Sequence, residues 1–350
     1  MDVKKTAGKM KLGPLLFSSS PHIALPGNTT AIMGTMYIAL APAAIFGVII
    51  YGLPALLNII TAMVCAIAGE ALFRLISRQQ PRIKDLSAGI SGLLLALVIP
   101  PSMPLWMTAL GSLFAVIVAK EFFGGLGANV FNPALTGRAF LMMSFPAAMT
   151  TWRPVQEGFS LAMTDAVSSP SPLQIFKSSN AYDGSYSNIF TEMFQDMPLI
   201  KKLFFGYHEG CTGETSILLI LAGFVFLAAV KVINWRAPAA MVVSAAAAAF
   251  ALGMNPVMAV LSGGLLFGAV FMATDYATTP LTAWGKIIFG IGAGIISVLI
   301  RKWGGYPEGV SYAILIMNAA VPFLNKILPK KYGFMPKKKA AKKGADGGVQ

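Results

Sequence analysis

"AKEFFGGLGANVFNPALTG" occupies Ala119–Gly137, and the chain repeats its outline once, as "IRKWGGYPEGVSYAILIMN" at Ile300–Asn318. A second pair precedes these two in the same order, "SGLLLALVIP" (Ser91–Pro100) and "SGGLLFGAVF" (Ser262–Phe271). The spacing differs by a short insertion in the later copy, within "TDYATTPLTAWG" (Thr274–Gly285). Landmarks that keep their order indicate an internal duplication, not a chance likeness between Gly-rich apolar runs.

The duplicated sequence is apolar almost throughout. Hydrophobic residues make up 56% of the 350, charged residues only 12%, and mean hydropathy is +0.69, which excludes an ordinary soluble domain. A spanning helix needs about 20 predominantly apolar residues. Ten spans are predicted, at roughly 30–51, 54–76, 86–100, 104–123, 128–149, 215–232, 238–253, 255–275, 284–300 and 309–327. Five precede the central polar region and five follow it, so the two copies sit upside down relative to one another, with a site or pathway near the midplane between them. The third and seventh spans are short and the fifth opens on Asn132-Pro133, which predicts broken or re-entrant helices there. The fold expected is therefore an all-α polytopic membrane protein, two inverted five-helix repeats with broken helices and one outward loop region.

Lys and Arg fix the orientation. Lys4, Lys5, Lys9 and Lys11 at one end, and Lys330, Lys331, Lys337, Lys338, Lys339, Lys342 and Lys343 at the other, put both termini in the cytoplasm. Arg74, Arg78, Arg82 and Lys84, and then Lys231 and Arg236, fall on the same side; Arg301 and Lys302 are the exception. The division expected is 1–29 cytoplasmic, 30–150 first repeat, 151–214 outward and acid-rich, 215–327 second repeat and 328–350 a basic cytoplasmic tail. The net charge of +13 resides in the tails and short inner loops, without aromatic interleaving, so anionic lipid of the bilayer and no nucleic acid is the partner it implies. Cys65 and Cys211 form neither a disulfide framework nor a CxxC site, and His22 and His208 lack further ligands at a metal-binding spacing.

No GxGxxG, P-loop, HExxH or nucleophile elbow is present. Charges within or beside spans are Glu70, Lys120, Glu121, Arg138 and Asp275. Solvated helix ends account for Lys120, Glu121 and Asp275, and an i,i+4 pair with Arg74 accounts for Glu70; no carboxylate pair suggests a proton relay.

Taken in order, "SSSPHIALPGNTTAIM" (Ser18–Met33), "KEFFGGLGANVFNPALTGRAFL" (Lys120–Leu141), "FMATDYATTP" (Phe271–Pro280) and "GGYPEGVSYAILIMN" (Gly304–Asn318) resemble the RnfD family, the D subunits of the Rnf complex, a membrane-bound ferredoxin:NAD oxidoreductase that pumps sodium ions or protons. The homologous B subunit of the sodium-pumping NADH:quinone oxidoreductase shares much of the pattern. The resemblance implies an electron-carrying subunit of the prokaryotic plasma membrane, working beside iron–sulfur and flavin subunits.

It also implies a covalent FMN, attached by a flavin transferase through a phosphoester in an outward motif of the D-x-x-S-G-A-T type. The matching run is "DAVSSPSPL", Asp165–Leu173, in which Asp165, Ser168 and Ser169 belong to the motif and Ser171 is the acceptor. Pro170 and Pro172 hold Ser171 on an extended segment, displayed to another enzyme. Ser169 and Pro170 depart from the family's Gly-Ala and Ser171 from its Thr, and "SSPSP" alone also reads as a polar linker. A second flavin, non-covalent riboflavin, is implied within the membrane domain. Asn129 and Asn132 are its candidate polar contacts, Gly124, Gly125 and Gly127 would permit close approach, and Thr274 and Asp275 are the counterpart in the other repeat. The same asparagines and glycines also serve as helix breakers and small packing residues. A solute channel or secondary transporter of urea-transporter-like fold is the alternative, distinguished by the absence of flavin.

Overall fold

The computed structural model describes residues 29–80, 85–153, 171, 173, 197–305 and 308–326. Among these residues there is no strand. The first half contains α1 (Thr29–Tyr51), α2 (Leu53–Ile76), α3 (Ser87–Val98), α4 (Leu105–Ile117), α5 (Pro133–Ser144) and the single turn α6 (Pro146–Met149). The second contains α7 (Met197–Phe205), α8 (Ile217–Ala229), α9 (Arg236–Ala251), α10 (Pro256–Leu261), α11 (Leu265–Phe267), α12 (Ala283–Trp303) and α13 (Val310–Leu324). Among the described residues, four helical stretches are long and apolar enough to cross a membrane: Thr29–Tyr51, Leu53–Ile76, Leu105–Phe123 and Ala283–Trp303. Outward faces of the first two carry Ile38, Ile45, Val64 and Ile76, all exposed. Apolar side chains on this scale belong against lipid, where a backbone must satisfy its own hydrogen bonds by staying helical.

In the first half α2 packs on α3 and α4, and α4 on α5; in the second, α9 packs on α10 and α12, and α12 on α13. The halves meet through α1 against α8 and α5 against α13. Small residues set the closeness of these contacts. A Cβ at Gly294 of α12 would lie 2.5 Å from the Met241 carbonyl of α9, and one at Gly92 of α3 would lie 2.5 Å from the Ala62 carbonyl of α2. Larger side chains would force these helices apart, and with them the dispersion contacts that hold helices together in lipid.

Breaks occur where the backbone changes conformation. The third predicted span is short, as expected, and Asn132 stops the fifth by capping α5, its Oδ1 accepting from Leu135 N at 3.3 Å with Pro133 in the first turn. The seventh, expected to be broken, is instead the continuous α9. The interruption falls in the eighth, where Ser262, Gly263 and Gly264 separate α10 from α11 and a π-turn follows at Gly268–Met272. Gly263, at φ +64°, supplies a conformation that a side chain disfavours. The region 151–214, expected as a loop, contains α7.

Candidate functional site

Two clusters of buried charge lie at opposite ends of the helices. The first, on the side of Thr29 and Val230–Arg236, starts from α2, where Glu70 and Arg74 sit one turn apart with Arg74 Nε 3.4 Å from Glu70 Oε1. After α4 the chain turns through Lys120 and a 3₁₀ turn, Glu121–Phe123, and delivers two more charges. Lys120 Nζ is 2.8 Å from Glu70 Oε2, and Arg74 Nε is 3.0 Å from Glu121 Oε2. Lys120 also donates to Ser87 Oγ at 2.6 Å, and that hydroxyl donates to Asp85 Oδ1 at 2.7 Å. Lys120 and Glu121 are therefore buried, 2% and 5% exposed, not the solvated helix ends expected of them. Two cations against two carboxylates make the group neutral, which is how charge is tolerated at low dielectric.

Of the three candidate glycines, Gly125 serves this cluster. Gly124, Gly125 and Gly127 have φ of +111°, +89° and +89°. A Cβ at Gly125 would stand 2.7 Å from Arg74 Nη2 and 3.4 Å from Glu121 Oε1, so the close approach it permits is to the ionic group. None of the three lines the neighbouring cleft.

That cleft lies between the halves and has a cavity volume of about 70 Å³. Asn129 and Asn132 line it from the first half, Thr274 and Asp275 from the second. The apolar walls include Met33, Ile90 and Phe271, the last placed by the π-turn; Ser87 and Lys120 also line it. The asparagines have local duties as well. Asn129 accepts from Gly127 N and donates to Phe131 O, while Asn132 Oδ1 caps α5 and its amide nitrogen has no partner among the described residues. Asp275, half-buried, accepts from Ala277 N at 3.3 Å and Thr278 Oγ1 at 3.1 Å, and Thr274 donates its hydroxyl to Val270 O. Asn318 of α13 ties the two walls: its oxygen accepts from Asn132 N at 3.2 Å and its nitrogen donates to Thr278 O at 3.3 Å. The lining is mostly apolar with a few polar groups, the composition common to small-molecule sites.

The second cluster lies at the other end. Arg138 of α5 forms an ion pair with Glu308 and donates to Ser311 Oγ at 3.0 Å and, weakly, to Cys211 Sγ at 3.8 Å, joining the halves. Cys211, Glu214 and Glu308 hold ligand-type atoms within 4.8 Å of one another, a grouping that their spacing in the sequence does not announce. Arg138 and Arg301 both act on Glu214, so positive charge is already supplied there. Arg301, the exception to the basic-loop pattern, is 2% exposed and donates to Ala259 O and Ser262 O. It is an internal cation, and Lys302, donating to Leu252 O at 2.7 Å, closes the end of α9.

Of the expected flavin-attachment motif, Asp165, Ser168 and Ser169 lie outside the described residues. Ser171 is 7% exposed, against the displayed hydroxyl that its flanking prolines suggested. Leu173, 3% exposed, reaches the helix break: its Cδ2 would be 2.9 Å from a Cβ at Gly263, with Arg301 Nη2 at 3.1 Å from the same point. His208, in the loop before α8, is buried, and that desolvation pushes its imidazole down from 6.5 to about 4.

Comparison with known proteins agrees with this architecture. The NQR2, RnfD, RnfE family matches residues 16–333. The D subunit of the proton-translocating ferredoxin:NAD(+) oxidoreductase complex of Clostridium ljungdahlii is 41% identical over 333 residues, covering 93% of this chain and 98% of the relative. The D subunit of the Na(+)-translocating complex of Acetobacterium woodii is 39% identical over 331 residues, 94% of this chain and 98% of the relative. The D subunit of the ion-translocating oxidoreductase complex of Escherichia fergusonii is 36% identical over 354 residues, 90% of this chain and 97% of the relative. The apolar helices and this match over nearly the whole length make the chain a multi-pass membrane protein that belongs to the NQR2, RnfD, RnfE family.

Proposed function

We propose that the chain is an electron-carrying membrane subunit of an ion-translocating ferredoxin:NAD oxidoreductase, assembled with other subunits of that complex in the plasma membrane with both termini in the cytoplasm. Ten spans in two inverted repeats are part of this proposal, supported by the recurrence of the α2, α4, α5 packing in α9, α12, α13. The observation that carries the functional reading is the cleft. Asn129 and Asn132 meet Thr274 and Asp275 there across the two halves, with apolar walls between.

A riboflavin held in this cleft would supply electron-transfer chemistry that none of the side chains lining it provides. The protein's part is to grip and orient: the Asn132 amide nitrogen and Asn129 offer hydrogen bonds, and the apolar walls exclude water. FMN, joined by a phosphoester to Ser171, is the second carrier. Because Ser171 is buried, the flavin transferase acts on this segment before Leu173 packs at Gly263 or when it is released.

The test is made on full-length protein co-expressed with a flavin transferase. Flavin fluorescence in the denatured gel band, with an FMN adduct mapped to Ser171 by mass spectrometry and absent in Ser171→Ala, is the expected result. Riboflavin released by denaturation reports the cleft separately. Neither flavin in the purified protein would sink the electron-carrier reading in favour of a solute channel.

A further inference from the structure

Lys120 stands out among the four buried charges near the cleft because it alone of them lines it. Arg74 and Glu121 face each other at 3.0 Å and Glu70 takes Lys120 from behind at 2.8 Å. Ser87 Oγ receives a second Lys120 proton at 2.6 Å, and because its own proton goes to Asp85, the hydroxyl can only accept from the ammonium. An ammonium has three donors. Two are accounted for here, and the third N–H has no partner among the described residues, on a side chain that is 2% exposed.

We propose that Lys120 is the charge-selecting residue of the cleft, its ammonium meeting the ligand directly and favouring the form of a heteroaromatic ring that carries negative charge. The inference rests on the flavin reading of the cleft and deepens it. When such a ring takes up two electrons, from iron–sulfur or flavin donors of the complex, and one proton from water, a unit negative charge remains on the ring. No bond to the protein forms or breaks. Buried charges attract far more strongly than charges in water, and Glu70 and Ser87 fix the ammonium before that charge arrives, so little reorganisation follows. Asp275 on the opposite wall has its carboxylate engaged by Ala277 N and Thr278 Oγ1, and among the described residues Lys120 is the cation that lines the cleft.

The experiment measures riboflavin binding to the flavin-stripped, full-length protein, with riboflavin oxidised in one series and reduced by dithionite in the other. The wild type is expected to bind the reduced form more tightly. Lys120→Gln should lose about tenfold of that preference, equivalent to a potential lower by ~30 mV for the two-electron couple, while Lys120→Arg should retain it. Riboflavin bound by Lys120→Gln with the preference unchanged overturns the role of Lys120 and leaves the cleft as a flavin site. Riboflavin bound in neither form by the wild type overturns the flavin reading itself, and this inference with it. Should Lys120→Gln fail to accumulate, Glu70→Gln/Lys120→Gln, which removes both charges of the pair, gives the same readout.

Discussion

The two buried charge clusters are built from similar groups and do different work. In the first one, Glu70, Arg74, Lys120 and Glu121 all come from the first half and neutralise one another beside a cleft. In the second one, Arg138 comes from the first half and Glu308 and Ser311 from the second, so the contact fastens the halves together. Both meet the requirement that a charge in a low-dielectric interior be paired. Lys120 of the first cluster also lines the cleft. A neutral cluster can therefore brace two halves of a fold or form part of a cleft wall, and what separates the two is which elements contribute its members.

Breaking the Arg138–Glu308 pair should have the largest effect. Glu308→Ala removes the carboxylate paired directly with Arg138, leaving only the more distant charge of Glu214, and is expected to cost about 3 kcal/mol, the low end for a broken buried pair, read as a lowered melting temperature in detergent. Arg138→Met/Glu308→Leu, which removes both charges, should recover most of it. If the double variant is as unstable as the single one, the pair is not the brace described here. In the first cluster Glu121→Ala should cost roughly 2–3 kcal/mol, the scale of hydrogen bonds to a charged partner, because Glu70 still faces Arg74 at 3.4 Å. Equal costs in the two clusters would erase the distinction between them.

Asn132→Ala tests the link between cleft and helix. It removes the cap of α5, worth about 1 kcal/mol, and should also lower riboflavin occupancy; stability lost with occupancy unchanged would confine Asn132 to capping. His208 gives the smallest and most local effect. Its imidazole is neutral in the folded protein down to about 4, against 6.5 for the free group, so the unfolded chain binds the extra proton first as pH falls. Stability should be flat above about pH 6.5 and decline progressively towards pH 4, a decline that His208→Gln flattens. An unchanged pH profile in that variant would assign the decline to other groups.

Much of the fold is legible in the sequence because lipid imposes a single demand, apolar length, that a hydropathy pattern reports directly. Predicted spans agree with observed helices at α1, α2, α8, α12 and α13 to within a few residues. The breaks are harder to read. Asn132-Pro133 announces a cap, but the π-turn after Gly264 depends on what packs around it: a Cβ at Gly268 would sit 2.7 Å from Val310 Cγ1 of α13. At the candidate site Asn129, Asn132, Thr274 and Asp275 are the residues that the family resemblance points to, and the cleft brings them together. Lys120 and Arg301 look like ordinary terminal charges in the sequence, although they occupy the same position in the two copies of the motif. That shared position is the available signal, and hydropathy misses it because a basic residue near a predicted helix end looks solvated.

The sequence by itself determined the membrane class and the position of the long apolar helices, because both are written in local composition along the chain. Only the tertiary structure decided which charges are paired, that Ser171 and Leu173 are buried, and that Gly125 serves Arg74. Burial and pairing join residues tens of positions apart, Lys120 with Glu70 and Arg138 with Glu308, and a charge shows its partner only after the helices between them have packed.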